Sequence, residues 1–238
     1  MNQDQQELVR MVNRLCLENI EPHMEHDDET ENFRPEIFKQ FGELGLCGIP
    51  ISENYGGAGL SYKDFCYVLE ETAKYSVSYA VTLSVSTMVQ GILELFGTDE
   101  QKNKYLPDLI KGNLVGCFGL TESEAGSDPS SMKTNFKEEN NYFVLNGSKS
   151  WITNAPIADI FIIWAMNDND EIQGFIIEKN TEGLSTSLIA NKTSLKISPT
   201  GQIILNNVKI PKENILPKVQ GWESVFSCLK NARYGIAW

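Results

Sequence analysis

The first hundred residues carry apolar positions at helical spacing. Leu8, Met11, Val12, Leu15 and Cys16 recur every three to four positions, the stripe of a helix with one buried face. Pro35, Phe38, Phe41 and Leu44 mark a second helix, which Gly45 ends. Ser52 to Gly59 (Ser-Glu-Asn-Tyr-Gly-Gly-Ala-Gly) is a cluster of breakers and reads as a loop. Ser61 with Asp64 three positions on opens another helix, with Phe65, Val68 and Leu69 on its apolar face. Tyr79 to Phe96 is apolar on nearly all sides, as expected of a helix inside a core. Thr98 with Gln101 is a capping-box pattern that opens a further helix to about Lys111.

Near Gly112 the period changes. Val115 to Leu120 is a short apolar run. Tyr142 to Leu145 and Ser148 to Ile152 flank Asn146-Gly147, which predicts a hairpin with a two-residue turn. Ile160 to Met166 and Ile172 to Glu178 predict two strands around the turn Asn167 to Asp170, and Gly201 to Ile210 predicts one more. Helical spacing returns from Glu223, with Val225, Phe226, Leu229, Ala232 and Ile236. The pattern therefore predicts an α+β protein. It comprises an all-helical N-terminal domain over 1–113, a small β-barrel-like middle domain over 114–220, and a returning helix over 221–238, which the resemblance described below makes the first part of a C-terminal helical domain.

Charge narrows the partners. With 32 Asp and Glu against 20 Lys and Arg, the net charge is -12, and no basic stripe exists to neutralise nucleic acid. The five cysteines form no CxxC pair, which points to a reducing cytoplasm. The first residues lack the charged and apolar regions of a leader, and no apolar run approaches the ~20 residues of a membrane helix. His23 and His26, beside Asp27 and Asp28, read as a solvated acidic helix face rather than a metal site.

Candidate chemistry sits in Phe118 to Asp128 (Phe-Gly-Leu-Thr-Glu-Ser-Glu-Ala-Gly-Ser-Asp) and in Trp151-Ile-Thr153. A flavin ring needs a flat apolar partner, donors at its edges and donors for a pyrophosphate. Thr121 and its backbone neighbours could serve the ring edge, Gly126 and Ser127 would allow close approach to a phosphate, and Trp151 could cover the ring, with Thr153 reaching N5. The same residues also read as a polar turn beside a core tryptophan.

These segments resemble the signature of the acyl-CoA dehydrogenase family. Leu44-Gly-Leu-Cys-Gly-Ile-Pro50, Glu53-Asn-Tyr-Gly-Gly-Ala-Gly-Leu60 and Phe96-Gly-Thr-Asp-Glu-Gln-Lys-Asn-Lys-Tyr-Leu-Pro107 resemble it too, in the same order. Asp128 to Thr134 and Cys228 to Trp238 are most similar to glutaryl-CoA dehydrogenases.

The resemblance implies FAD-dependent α,β-dehydrogenation of an acyl-CoA or acyl carrier protein thioester, with electrons leaving to an electron-transferring flavoprotein or, in an oxidase, to oxygen. It implies that Phe118, Gly119, Leu120, Thr121, Glu122, Gly126, Ser127, Trp151, Ile152 and Thr153 line FAD. It implies that Tyr79, Ala80, Ser127, Phe226, Leu229, Asn231 and Arg233 border the substrate, with Arg233 a donor to CoA phosphates or to the cofactor. The family's base is a glutamate in a helical bundle that would follow Trp238 and would also supply most of a homo-oligomer interface. The 238 residues are thus expected to be inactive alone.

Two departures stand out. Glutaryl-specific members place an arginine where this chain has Tyr79, with Ala80 next and no basic residue through Phe96, which implies a neutral acyl group, and Lys196 stands where arginine is frequent. The competing readings are a non-catalytic binding remnant and a flavin monooxygenase on the same scaffold.

Overall fold

The computed structural model describes residues 1–238. Seven α-helices and seven strands follow one another in two blocks with a final helix. The first block holds α1 (Gln3–Asn19), α2 (Met24–Thr30), α3 (Pro35–Glu43), α4 (Tyr62–Tyr75), α5 (Val77–Phe96) and α6 (Asp99–Ile110). The helix starts follow the sequence. Ser61 and Thr98 accept from the backbone N–H of Asp64 and Gln101, whose side chains accept from the cap N–H in return. Gly45, at φ 74°, ends the segment that begins at Pro35.

Helix α5 has 20 residues and enough apolarity to cross a membrane by length and composition, against the expectation that no such run exists. Its apolarity serves the core instead: 61% of its most apolar window is buried inside the protein.

The second block holds β1 (Gly116–Gly119), β2 (Asn135–Glu138), β3 (Tyr142–Thr153), β4 (Ile160–Met166), β5 (Ile172–Glu178), β6 (Leu184–Leu188) and β7 (Thr200–Pro211). They form one curled sheet. Strands β2, β3, β7 and β6 are antiparallel neighbours in that order. Strand β4 pairs with β5 antiparallel and with β1 parallel, and meets β2 through Asn135 and Met166. β4 reads Ile-Phe-Ile-Ile-Trp-Ala-Met without alternation because both of its faces are covered. Ile160, Ile162 and Trp164 pack toward the helices, while Phe161, Ile163 and Ala165 fill the interior of the sheet.

The predicted Asn146-Gly147 turn is corrected. β3 runs straight through it, and the turn that precedes β3 lies between Glu138 and Tyr142. The ladder with β7 shifts register between Leu145 and Gly147, so the pair marks a bulge. Gly147 sits at φ 144°, and a Cβ there would fall 2.5 Å from Thr134 Oγ1, so the glycine answers a close approach of chains. Strands β2 and β6 and helix α2 escape sequence reading because they are short and largely polar.

Helix α7 (Gly221–Ala237) lies across α5 and the sheet. One core joins α5, α6, β4 and α7 through Val89, Leu93, Leu109, Ile162, Trp164 and Val225, with Phe118 of β1 packed against it. Asn154 adds a polar staple between the blocks, its Nδ2 donating to Thr82 O in α5 and Gly116 O in β1 at 3.1 and 3.0 Å.

Candidate functional site

A cleft of about 320 Å³ opens where α5, α7 and the sheet meet. β1 delivers Phe118, and the loop after it delivers Leu120, Thr121, Gly126, Ser127 and Pro129. β3 delivers Trp151, Ile152 and Thr153, and α7 closes the cleft with Phe226, Leu229 and Arg233. Residues 226, 229 and 233 share one helix face by their spacing. Val85 and Met88 of α5 complete the lining. Sequence reading missed these two, since a helix apolar all round does not reveal which face borders a cavity.

The cleft holds donors and acceptors with no protein partner. The backbone N–H groups of Thr121, Gly126 and Ser127 donate to no carbonyl. The hydroxyls of Thr121, Ser127 and Thr153 likewise face the cleft without a protein hydrogen bond. At Gly126 an added Cβ would meet nothing within 4 Å, so a ligand can come close to the backbone.

Trp151 stands in the opposite condition. Its φ is 59°, a backbone region costly for an aromatic residue, and the β3–β7 ladder breaks register around it between Lys149 and Ile152. Its side chain is 61% exposed. A strained bulge that presents an indole to an open cleft is what stacking on a planar ring requires. Arg233, exposed at the rim, is the only Lys or Arg in the lining, and no carboxylate pairs with it.

Beneath the loop lies a buried ion pair. Lys149 is wholly buried and donates from Nζ to Glu122 Oε1 at 2.8 Å and to Leu120 O at 3.1 Å. Glu122 accepts in addition from the N–H groups of Thr134 and Lys133 at 3.0 and 2.7 Å. Burial pulls the Lys149 ammonium down to about 8, against the pull of its carboxylate partner. For Glu122 burial acts upward, but the Lys133 N–H and the Lys149 ammonium outweigh it and hold the carboxyl below its ordinary range.

Several expected site residues lie elsewhere. Glu122 turns into this buried pair, away from the cleft. Gly119 is buried under the loop, where a Cβ would strike Ile163 Cδ1 at 2.5 Å. Tyr79 is 2% exposed, stacks on Phe33 and accepts from the Arg34 N–H at 3.1 Å, so it is a core residue. Ala80 borders a separate groove with Ser84 and Ile236. Asn231 lines a small cavity of about 180 Å³ on the other side of α7, with Glu94 and Tyr62. Register explains the last case: residue 231 points away from the face that carries residues 226, 229 and 233.

The arrangement suits a ligand with a planar, acceptor-rich ring and anionic groups that backbone N–H donors and one arginine can meet. Comparison with known proteins places this geometry. Residues 2–113 match "Acyl-CoA dehydrogenase, N-terminal domain" and residues 117–208 match "Acyl-CoA dehydrogenase, middle domain". The chain belongs to the acyl-CoA dehydrogenase family.

Among its relatives, a short-chain-specific acyl-CoA dehydrogenase of Clostridium acetobutylicum is 38% identical over 98% of this chain and 63% of its own length. A glutaryl-CoA dehydrogenase of Mycobacterium smegmatis, solved with FADH2, superposes with a TM-score of 0.95 at 34% identity, over 99% of this chain and 61% of that one. The butyryl-CoA dehydrogenase of Megasphaera elsdenii gives a TM-score of 0.95 at 32% identity, over 100% and 64%. The chain thus spans less than two thirds of the length of these proteins.

Proposed function

We propose that these residues form the FAD-binding part, and one wall of the thioester site, of an acyl-CoA dehydrogenase. The observation that carries the reading is the convergence of unpartnered donors of Thr121, Gly126, Ser127 and Thr153 with the strained, exposed Trp151 in one cleft. The residues fit FAD: an indole for the ring face, hydroxyls and N–H groups for its edges, and an open glycine for close backbone approach at a phosphate. When bound, FAD supplies a two-electron acceptor for the β-hydride of an acyl thioester.

Phe118, Leu120 and Ile152 would exclude water from the ring side of bound FAD, and Phe226 and Leu229 would border the thioester. Arg233 offers its fork of donors to a CoA phosphate at the rim. No Asp or Glu lines the cleft, and Glu122 is committed to Lys149, so none of the lining residues is assigned as the base for the α-proton. Electron-transferring flavoprotein as acceptor and a homo-oligomeric complete protein follow from the resemblance, and a cytoplasmic setting from the cysteine pattern. The five buried, unpaired cysteines suit such a reducing compartment.

The acyl group is assigned as neutral. The cleft's one cation, Arg233, stands at its rim and is assigned to a CoA phosphate. A buried distal carboxylate would lack a partner there, at considerable cost.

The test is a visible absorption spectrum of the purified chain after FAD addition and desalting, followed by titration with butyryl-CoA and glutaryl-CoA. Retained flavin, with its bands perturbed more tightly by butyryl-CoA, is the expected result. Loss of all flavin on desalting overturns the claim that these residues hold it, and a preference for glutaryl-CoA overturns the neutral acyl assignment.

A further inference from the structure

The Lys149–Glu122 pair stands outside the cleft lining, yet it touches two of the elements that build it, the loop after β1 and strand β3. On one side it holds the loop. Lys149 Nζ binds Leu120 O and Glu122, while the main chain of Glu122 pairs with that of Ala125 and closes the turn whose flanks are Thr121 and Gly126. Glu122 also gathers the N–H groups of Lys133 and Thr134, tying down the far end of the loop. On the other side, Lys149 lies on β3 two residues before Trp151, at the edge of the bulge that turns the indole outward. The N–H of Ser150, between them, donates to Thr121 O at 2.9 Å.

A buried ion pair is a poor source of stability, because desolvation offsets most of the attraction. What it does well is fix a register. Two charges with nearly every bond direction filled allow one arrangement of the loop against the strand, where an apolar filler would allow several.

We propose that Lys149 and Glu122 are positioning residues for the ring-binding cleft, locking the Thr121 loop and the Trp151 bulge into the one mutual arrangement that accepts the flavin. The proposal rests on the flavin reading for its ligand but makes a separate statement about the protein alone.

The test uses Glu122→Gln, Lys149→Met and the double variant E122Q/K149M. Either single change strands a buried charge or acceptor, and loss of folding is its expected effect. The double change removes both charges at nearly constant volume and is expected to fold, with a melting temperature close to that of the parent. Three readouts apply to it: amide exchange at residues 120–125 and 150–153 without flavin, FAD affinity, and the band shape of bound flavin.

Exchange at least tenfold faster in both segments, FAD affinity at least tenfold weaker and an altered band shape support the proposal. Unchanged exchange overturns it, whatever the flavin does. Faster exchange with parental FAD affinity and band shape also overturns it, since the pair would then serve stability alone. Should the parent itself take up no FAD while exchange in the double variant still rises, the flavin reading fails and the ordering role stands.

Discussion

At the residue scale, backbone strain falls on Trp151, the residue proposed to face the flavin. An aromatic residue at φ 59° costs about 1–2 kcal/mol relative to glycine, and this indole, at 61% exposure, recovers little packing in return. Trp151→Gly is therefore expected to raise the melting temperature of the flavin-free protein by about 2–6 °C while weakening FAD binding at least tenfold. A variant that melts lower and binds flavin normally would remove Trp151 from the site. The tryptophan was legible in sequence because Trp151-Ile-Thr153 sets an indole beside a hydroxyl and resembles the family's signature. Its φ was not, since nothing local demands a left-handed tryptophan. The bulge comes from the pairing of β3 with β7, which lies some fifty positions further along the chain.

Glu122 shows the opposite limit. Sequence places it in the loop after β1, and it is in that loop, but its direction depends on Lys149 arriving from another strand. A carboxylate beside a flavin and a carboxylate beneath one look identical along the chain.

At the element scale, the start of the helical block depends on one charged contact. Asp27 of α2 is 2% exposed and accepts from Arg34 Nε and Nη2 at 2.6 and 2.8 Å, at the N-cap of α3. Burial pushes its carboxyl upward, but the hydrogen bonds from Arg34 and Asn32 outweigh this and hold it below the ordinary value of 3.8. A depressed carboxyl contributes stability that is present above its unfolded pKa and lost as pH falls through the folded one. Melting temperature should thus decline below about pH 4. Asp27→Asn should flatten that decline and cost about 1–3 kcal/mol near pH 7. Parallel acid profiles for parent and variant would contradict the assignment.

Elements with strong local codes were readable: the capping boxes at Ser61 and Thr98, the glycine end of the second predicted helix, and the apolar runs of β4 and β5. The Asn146-Gly147 turn misled because the same dipeptide serves a turn or a bulge, and the partner strand decides between them.

At the scale of the whole molecule, the helical and β blocks share a core through α5, α6, β4 and α7. The buried Trp164 lies within it, and Asn154 ties α5 to β1 beside it. The two blocks are therefore expected to unfold together. Thermal melts followed by far-ultraviolet circular dichroism, which reports mainly helix, and by near-ultraviolet signals of the tryptophans should coincide. Two separated transitions would mean that the shared core does not couple the blocks.

The sequence by itself determined the order of the longer elements, the change from helical to strand period near Gly112, and the residue types that a flavin site would need. Those properties are local: they depend on spacing, caps and turn chemistry within a few positions. Only the tertiary structure decided which of those residues face the cleft. It turned Trp151 and Thr153 inward to the site, sent Glu122 to Lys149, withdrew Tyr79 into the core, and brought Val85 and Met88 to the lining. Each of those outcomes rests on a partner far away in the chain. Side-chain direction on a buried element is set by what packs against it, and the linear order of residues carries no record of that.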